Sequence, residues 1–203
     1  RTGDFLMELL LTDEQTMLRD SAATFSERRG GADRLRKLRQ SDKKIDRDIW
    51  TQATEAGWLA VLASESAGGL ALGLTDLSLV SEELGRCLIP EPLAASAAVA
   101  RAVGDNEIAE AILSGDKIIL PALMEGARAI GDEPPTVTSA TDNGATTLDG
   151  VKSGVSCPVD ADGFLVSASG PDGIVLVIVS REDVDIVAND TMDGATVGTI
   201  TMN

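Results

Sequence analysis

Two periodicities divide the chain. Up to about residue 115, apolar positions recur at helical spacing, every three or four residues. Beyond Lys117 they alternate or run together in short stretches separated by turn residues. Thr12 followed by Gln15 makes a capping-box pattern, with Asp13 and Glu14 at the positive end of the helix dipole. Met17, Ser21 and Phe25, with Leu18 and Ala22 beside them, predict one inward face. A second helix is predicted from Asp46, burying Ile49, Trp50 and Ala53 and ending at Gly57, a natural left-handed cap. A third starts at Thr75, turns Leu77, Val80, Leu84 and Leu88 inward, and stops before Pro90. The run AASAAVARAV is small on nearly every side, which suits a helix packed closely between others. A fifth helix, Glu107 to Ser114, is closed by Gly115.

The later segments IILPAL, TVTSA, ATTLD, GFLVSA, IVLVIVS and TVGTITM are β-rich, and DNG, LDG, GPDG and MDG between them are hairpin chemistry. Strands joined by turns without intervening helices predict an antiparallel barrel or sandwich. The fold class is therefore α+β, with an all-α domain over 1–115 followed by an all-β domain over 116–203. The chain stops at Asn203 directly after an alternating strand, which leads us to expect a piece of a longer polypeptide.

Composition narrows the chemistry. Histidine is absent from the 203 residues, which removes His-based triads, His general bases and His metal ligands. Aromatic residues make up only 2%, so the core must be aliphatic. The net charge of −16 is uneven: residues 116–203 hold 4 basic and 14 acidic side chains, against 13 and 19 before them. Such a balance argues against a nucleic-acid footprint, which needs dense Lys and Arg. Nine of the 17 basic residues crowd between Arg28 and Arg47, a stretch expected to be a solvated connector. Cys87 and Cys157 form no disulfide framework, as in a reducing compartment. The apolar FLMELLL is too short for a membrane span and lacks a cleavage site after it, so a cytoplasmic location without membrane attachment is expected.

SESAGGLALG, Ser64 to Gly73, sits between two helical segments. It carries no Lys for a phosphate loop, and its glycines do not match GxGxxG. They read as a tight connection needing positive φ and close approach. The longer run AGWLAVLASESAGGLALGLTDLSLVSEELGR resembles the acyl-CoA dehydrogenase family, whose helical domain carries GWxxLxxPExxGGxGxxxxDxxxVxEExG. The matching positions are Gly57, Trp58, Glu65, Gly68, Gly69, Gly73, Asp76, Val80, Glu82, Glu83 and Gly85, with Ser64 where the family usually has Pro. The opening LTDEQTMLRDSAATF is similar to the family's first helix, and LDGVKSGVSCPVDADGFLVSA resembles its middle-domain pattern xLxGxKxxITNxxxADxxxVxA.

That resemblance implies an N-terminal helical domain, a middle β-domain and a C-terminal four-helix domain, the last missing here. It implies α,β-dehydrogenation of an acyl-CoA with hydride transfer to FAD, reoxidation by an electron-transfer acceptor protein, and assembly into homo- or hetero-oligomers. The base usually comes from the C-terminal domain, so no catalytic residue is assigned, and neither Glu65 nor Glu125 is promoted. The family's LTEP matches Leu123, Met124, Glu125 and Gly126; its aromatic-Ile-Thr matches Gly154, Val155 and Ser156. Leu123, Met124, Val155 and Ser156 are thus the implied flavin contacts. Met124 lacks the hydroxyl of the family's Thr, and Gly154 lacks the aromatic wall. ARAIGDEPP offers no counterpart of the GSD that often follows LTEP. The alternatives are a non-catalytic partner subunit, or a binding or assembly module on the same fold. Apart from the resemblance, Met124 reads as a barrel packing residue, Ser156 as a solvent-facing strand residue, Lys152 as a surface charge beside the DG turn, and Cys157 as part of a strand-ending loop.

Overall fold

The computed structural model describes residues 10–126, 131, 133–142 and 145–203. The FLMEL part of the apolar N-terminus, Asn143 and Gly144 of the DNG turn, and most of ARAIGD lie outside the described residues. Helix α1 (Asp13–Arg29) opens on the predicted cap: Gln15 N–H donates to Thr12 Oγ1, and Thr12 N–H to Gln15 Oε1, each at 3.2 Å. Its inward side is Leu18, Ala22 and Ser26, with Phe25 half-buried; Met17 and Ser21 are exposed, contrary to expectation. The seam with α4 (Leu74–Arg86) selects this side, and Gln15 Nε2 donates across it to Asp76 Oδ1 at 3.1 Å.

Most basic side chains of the Arg28–Arg47 stretch are solvent-exposed, as expected, but the stretch is more than a connector. It contains helix α2 (Ala32–Arg39), and Arg34, Lys44 and Arg47 reach carboxylates of distant segments. Arg34 pairs with the buried carboxylate of Glu91 and lies 3.5 Å from Asp46, while Asp46 N–H donates to Glu91 Oε1 at 3.1 Å. Long basic side chains can lie along the fold and reach carboxylates far away in sequence, which local charge does not reveal. Helix α3 (Arg47–Glu55) is capped by Asp46 and buries Ile49, Trp50 and Ala53 as predicted, with Gly57 beyond it at φ +80°. Helix α4 starts one residue before Thr75, with Gly73 N–H donating to Asp76 Oδ2 at 2.9 Å. It stops at Arg86, so Leu88 swings outward at φ +59° and Ile89 takes the inward place. Helices α5 (Leu93–Val103) and α6 (Glu107–Leu113) follow the predicted small-residue and Ile108–Leu113 segments.

The glycines of SESAGGLALG serve the backbone. Gly68 has φ +81°, and a Cβ on Gly69 would lie 2.2 Å from the carbonyl oxygen of Ala63. Ala71 N–H donates to that same oxygen, and Leu72 N–H to the carbonyl of Val61, each at 2.8 Å, so the loop doubles back on its approach segment.

Among the described residues, seven strands make one curled mixed sheet: β1 (Ile119–Ala122), β2 (Thr138–Asp142), β3 (Ala145–Ser156), β4 (Gly163–Gly170), β5 (Gly173–Ser180), β6 (Asp185–Asp190) and β7 (Thr196–Met202). Most neighbours are antiparallel, but β1 runs parallel to β4 from Ile119↔Gly163 to Ala122↔Val166. The purely antiparallel expectation is corrected there. β1 arrives from α6 with no hairpin partner, and the long excursion before β4 permits the parallel register. β1, β5 and β6 each have a single paired neighbour. β3 changes partner midway, from β2 at Asp149 to β7 at Gly150. Gly150 has φ +139°, and a Cβ there would meet Val137 Cα at 2.9 Å.

The apolar core is continuous across the helical and β segments, joining Ala22, Trp50, Trp58 and Leu84 to Val155, Phe164, Val166 and Ile200. Polar ties reinforce it. Lys44 N–H donates to Asp160 Oδ2 at 2.9 Å, Ile118 N–H to Asp162 Oδ2 at 2.7 Å, and Arg47 Nη2 to Asp162 Oδ1 at 2.8 Å.

Candidate functional site

Three of the four implied flavin contacts meet at one groove. Leu123, Met124 and Ser156 line it together with Ala95 of α5, Leu120 and Pro121 of β1, and Gly154 of β3. Its volume is about 190 Å³, its walls are apolar, and no charged residue lines it. Val155 is not part of it. Its side chain is buried in the core, as strand alternation demands when Ser156 faces out. Only the Val155 backbone could serve a ligand.

The local geometry arises from a bulge. The β3–β7 register shifts between Lys152 and Val155, and Gly154 sits in it at φ +66°, a conformation suited to glycine. Ser153 N–H donates to the Met124 carbonyl at 2.8 Å, and Gly126 N–H to Ser153 Oγ at 2.7 Å, which locks the segment after β1 onto the bulge. A Cβ on Gly154 would lie 3.4 Å from Met124 Sδ. The thioether therefore covers the position that Gly154 leaves bare, and the two departures from the family pattern are spatially paired. Ser156 Oγ makes no hydrogen bond among the described residues and remains available at the groove.

Next in sequence to groove-lining Met124 is Glu125, which forms an ion pair with Lys152. Lys152 is fully buried, contrary to its reading as a surface charge, and its Nζ donates to Glu125 Oε1 at 2.6 Å and to Ser167 Oγ at 3.0 Å. Ordinary strand alternation turns this lysine inward opposite buried Ile200, between exposed Val151 and the bulge, and Glu125 offers a carboxylate that compensates for its desolvation. Burial alone would raise the Glu125 pKa. Hydrogen bonds from Lys152, from the Thr136 hydroxyl and backbone, and from Val137 N–H outweigh it and hold the group at about 2. So firmly anionic and so fully engaged, Glu125 is a poor general base. Glu65 lies in the connecting turn of the helical region, and it does not line the groove.

Residue-by-residue reasoning missed Ala95, Leu120 and Pro121. Their signals were present as the small-residue run of α5 and the IILPAL strand just before Leu123. Cys157 follows Ser156 at φ +48°, buried, and burial raises its thiol pKa, so it is no activated nucleophile. Among the described residues there is no group of three or more Cys, Asp or Glu placed to hold a metal, and no helix long and apolar enough to cross a membrane.

A helical N-terminal part feeding a curled mixed sheet matches the fold of solved acyl-CoA dehydrogenases. The family model for the acyl-CoA dehydrogenase N-terminal domain matches residues 12–114, and the chain belongs to this family. It is 30% identical over 179 residues to acyl-CoA dehydrogenase FadE27 of Mycobacterium tuberculosis, covering 83% of this chain and 46% of that protein. Acyl-CoA dehydrogenase IpdE2 of the same organism is 34% identical over 82 residues, 40% of this chain and 26% of that protein. Among solved structures, the Tcur3481-Tcur3483 steroid ACAD superposes with a TM-score of 0.82 at 31% identity, over 94% of this chain and 55% of that one. The ChsE4-ChsE5 complex from Mycobacterium tuberculosis gives 0.83 at 26% identity, over 97% and 56%. The match spans about half the length of FadE27 and of the two solved structures, and about a quarter of IpdE2.

Proposed function

We propose that this chain forms the helical and middle portions of an acyl-CoA dehydrogenase subunit, and that its groove supplies one wall of a flavin and acyl-CoA site completed by other polypeptide. The observation that carries this reading is the convergence of Leu123 and Met124, which follow β1, with Ser156 of β3 on a single apolar groove. The residues fit part of a flavin. An apolar slot with one available hydroxyl suits the edge of an isoalloxazine ring, while no cation lines the groove to meet a pyrophosphate. When bound, FAD would accept the β-hydrogen of the acyl thioester as hydride. This chain's own share is to exclude water with Ala95, Leu120, Pro121 and Met124, and to offer Ser156 Oγ and backbone amides as hydrogen-bond partners. The base that takes the α-proton would come from outside the described residues, and reoxidation would require an electron-transfer acceptor protein.

Met124 over Gly154 favours a specific version of this reading, in which the subunit binds flavin only when paired with a related subunit. Relatives include the ChsE4-ChsE5 complex, a pair of proteins, and one described as a steroid ACAD. We extend from these a hetero-oligomeric assembly and, more loosely, a bulky acyl-CoA substrate. The runner-up is a non-catalytic partner subunit that keeps the scaffold alone. The visible absorbance of the full-length protein, purified alone and with a related subunit, distinguishes them. Flavin bound only in the pair supports the proposal; a homomer with full flavin that dehydrogenates an acyl-CoA overturns the partner requirement. A pair whose flavin stays bound when this chain's groove is blocked by Ser156→Trp supports the non-catalytic reading.

A further inference from the structure

Met124 lines the groove, and it and the two residues after it are held by two consecutive residues of β3. Ser153 N–H donates to the Met124 carbonyl at 2.8 Å, and Ser153 Oγ accepts from Gly126 N–H at 2.7 Å. The hydroxyl also reaches the Gly126 carbonyl, at 3.5 Å. Glu125, between them, is drawn to Lys152 Nζ at 2.6 Å. Lys152 thus takes the middle side chain, and Ser153 takes the backbone on either side of it.

The Gly126 bond is open to this chain and closed to the family pattern. LTEP puts proline at this position. Proline has neither the N–H that Ser153 Oγ accepts nor access to the φ of +60° that Gly126 adopts. A proline ring stiffens its turn, whereas glycine leaves the backbone free. A segment freed in this way beside the groove needs another restraint, and the Ser153 hydroxyl supplies one. The pattern xLxGxKxxITN leaves position 153 open, so the family resemblance does not call for this serine. The restraint matters to the next residue as well. Met124 Sδ lies 3.4 Å from where a Cβ on Gly154 would be, so the placing of the Met124 backbone decides how its thioether covers the bulge.

We propose that Ser153 is a positioning residue of the groove: its hydroxyl takes over the restraint of the missing proline and fixes the Met124 backbone where a flavin ring would meet it. For its ligand this rests on the flavin reading above; the clasp itself does not. Ser153 acts through Met124 and Gly126 and does not line the groove itself. One hydrogen bond of ordinary net strength corresponds to about a twofold to tenfold change in affinity.

The test is a double-mutant cycle on the full-length protein assembled with the related subunit, read by FAD titration and by amide hydrogen exchange. Ser153→Ala should weaken FAD binding about twofold to tenfold and speed exchange of the residue-153 amide, while amides of β4 and β7 keep their rates. Ser153→Thr keeps the hydroxyl and should behave as wild type. Gly126→Pro restores the residue of the family pattern, yet it should weaken binding, and adding Ser153→Ala to it should cost little more. Equal FAD affinity in wild type and Ser153→Ala, or additive losses in the cycle, would overturn the proposal and leave the flavin reading standing. An assembled wild type that takes up no FAD would sink the flavin reading, and the exchange rates then decide the clasp alone. Faster exchange at residue 153 in Ser153→Ala but not in Ser153→Thr sustains the positioning role, and unchanged rates overturn it. Faster exchange throughout the sheet would make Ser153 a general fold residue and overturn it too.

Discussion

Lys152 Nζ lies 2.6 Å from Glu125 Oε1, and the lysine side chain has no exposure to solvent. Glu125 in turn takes the Thr136 hydroxyl at 2.6 Å, Thr136 N–H at 2.7 Å and Val137 N–H at 3.2 Å. The pair thus fastens β3 beside its bulge, the segment after β1 and the approach to β2 into one unit. Removing one partner strands the other charge in the interior. Lys152→Met is therefore expected to lower stability by about 3–5 kcal/mol, read from chemical denaturation. An unchanged midpoint would show that the pair contributes nothing.

The same carboxylate sets a pH dependence. Its folded pKa, about 2, lies below the ordinary value of 4.5. The stability it contributes is therefore fully present above the ordinary value and is lost as pH falls toward 2. Glu125→Gln should flatten the decline of melting temperature across that window. Parallel curves for wild type and variant would contradict the assignment.

Three neighbouring glycines should respond unequally to alanine. Gly69→Ala drives a Cβ into the Ala63 carbonyl and should cost about 2 kcal/mol or more. Gly68→Ala meets nothing within 4 Å but keeps φ +81°, for about 1 kcal/mol. Gly73→Ala, with Asp76 Oδ2 3.5 Å from the new methyl, should stay within about 0.5 kcal/mol. Equal melting temperatures for all three would refute the close-approach account.

Trp50 is fully buried in the shared core, and Trp58 packs edge-on against Phe25 with ring centroids 4.9 Å apart. Trp50→Ala should cost about 3–5 kcal/mol. Because that core joins helices to sheet, the loss should appear together in far-ultraviolet dichroism of both. Separate transitions for helix and strand would instead indicate independent folding.

A thiol reagent should modify Cys87 in the native chain and reach Cys157 only on unfolding. Cys157 is buried with a raised pKa, whereas Cys87 is partly exposed at the end of α4. Two fast thiols at neutral pH would show that the Cys157 loop opens.

Restoring a hydroxyl with Met124→Thr should strengthen flavin binding in the assembled protein by about 0.5–1.5 kcal/mol, measured by titration. Weaker binding would mean that the Met124 thioether over Gly154 is itself part of the ring contact.

Much of this protein was legible along the chain because the signals are local. The Thr12–Gln15 cap, the Asp46 cap, the buried face of Ile49, Trp50 and Ala53, and the switch to strands after Gly115 all operate within a few residues. The groove was legible through Leu123, Met124 and Ser156 because a family pattern carries long-range information that periodicity lacks. What only the tertiary structure decided involves partners far apart in sequence. Arg34 meets Glu91 57 positions away and Lys152 meets Glu125 27 positions away, so neither basic residue could be told from a surface charge. The same holds for the parallel placing of β1 beside β4, for the side of α1 that faces α4, and for the Met124 thioether lying over Gly154. Each depends on which surfaces meet once the chain is compact, and burial and desolvation are decided only there.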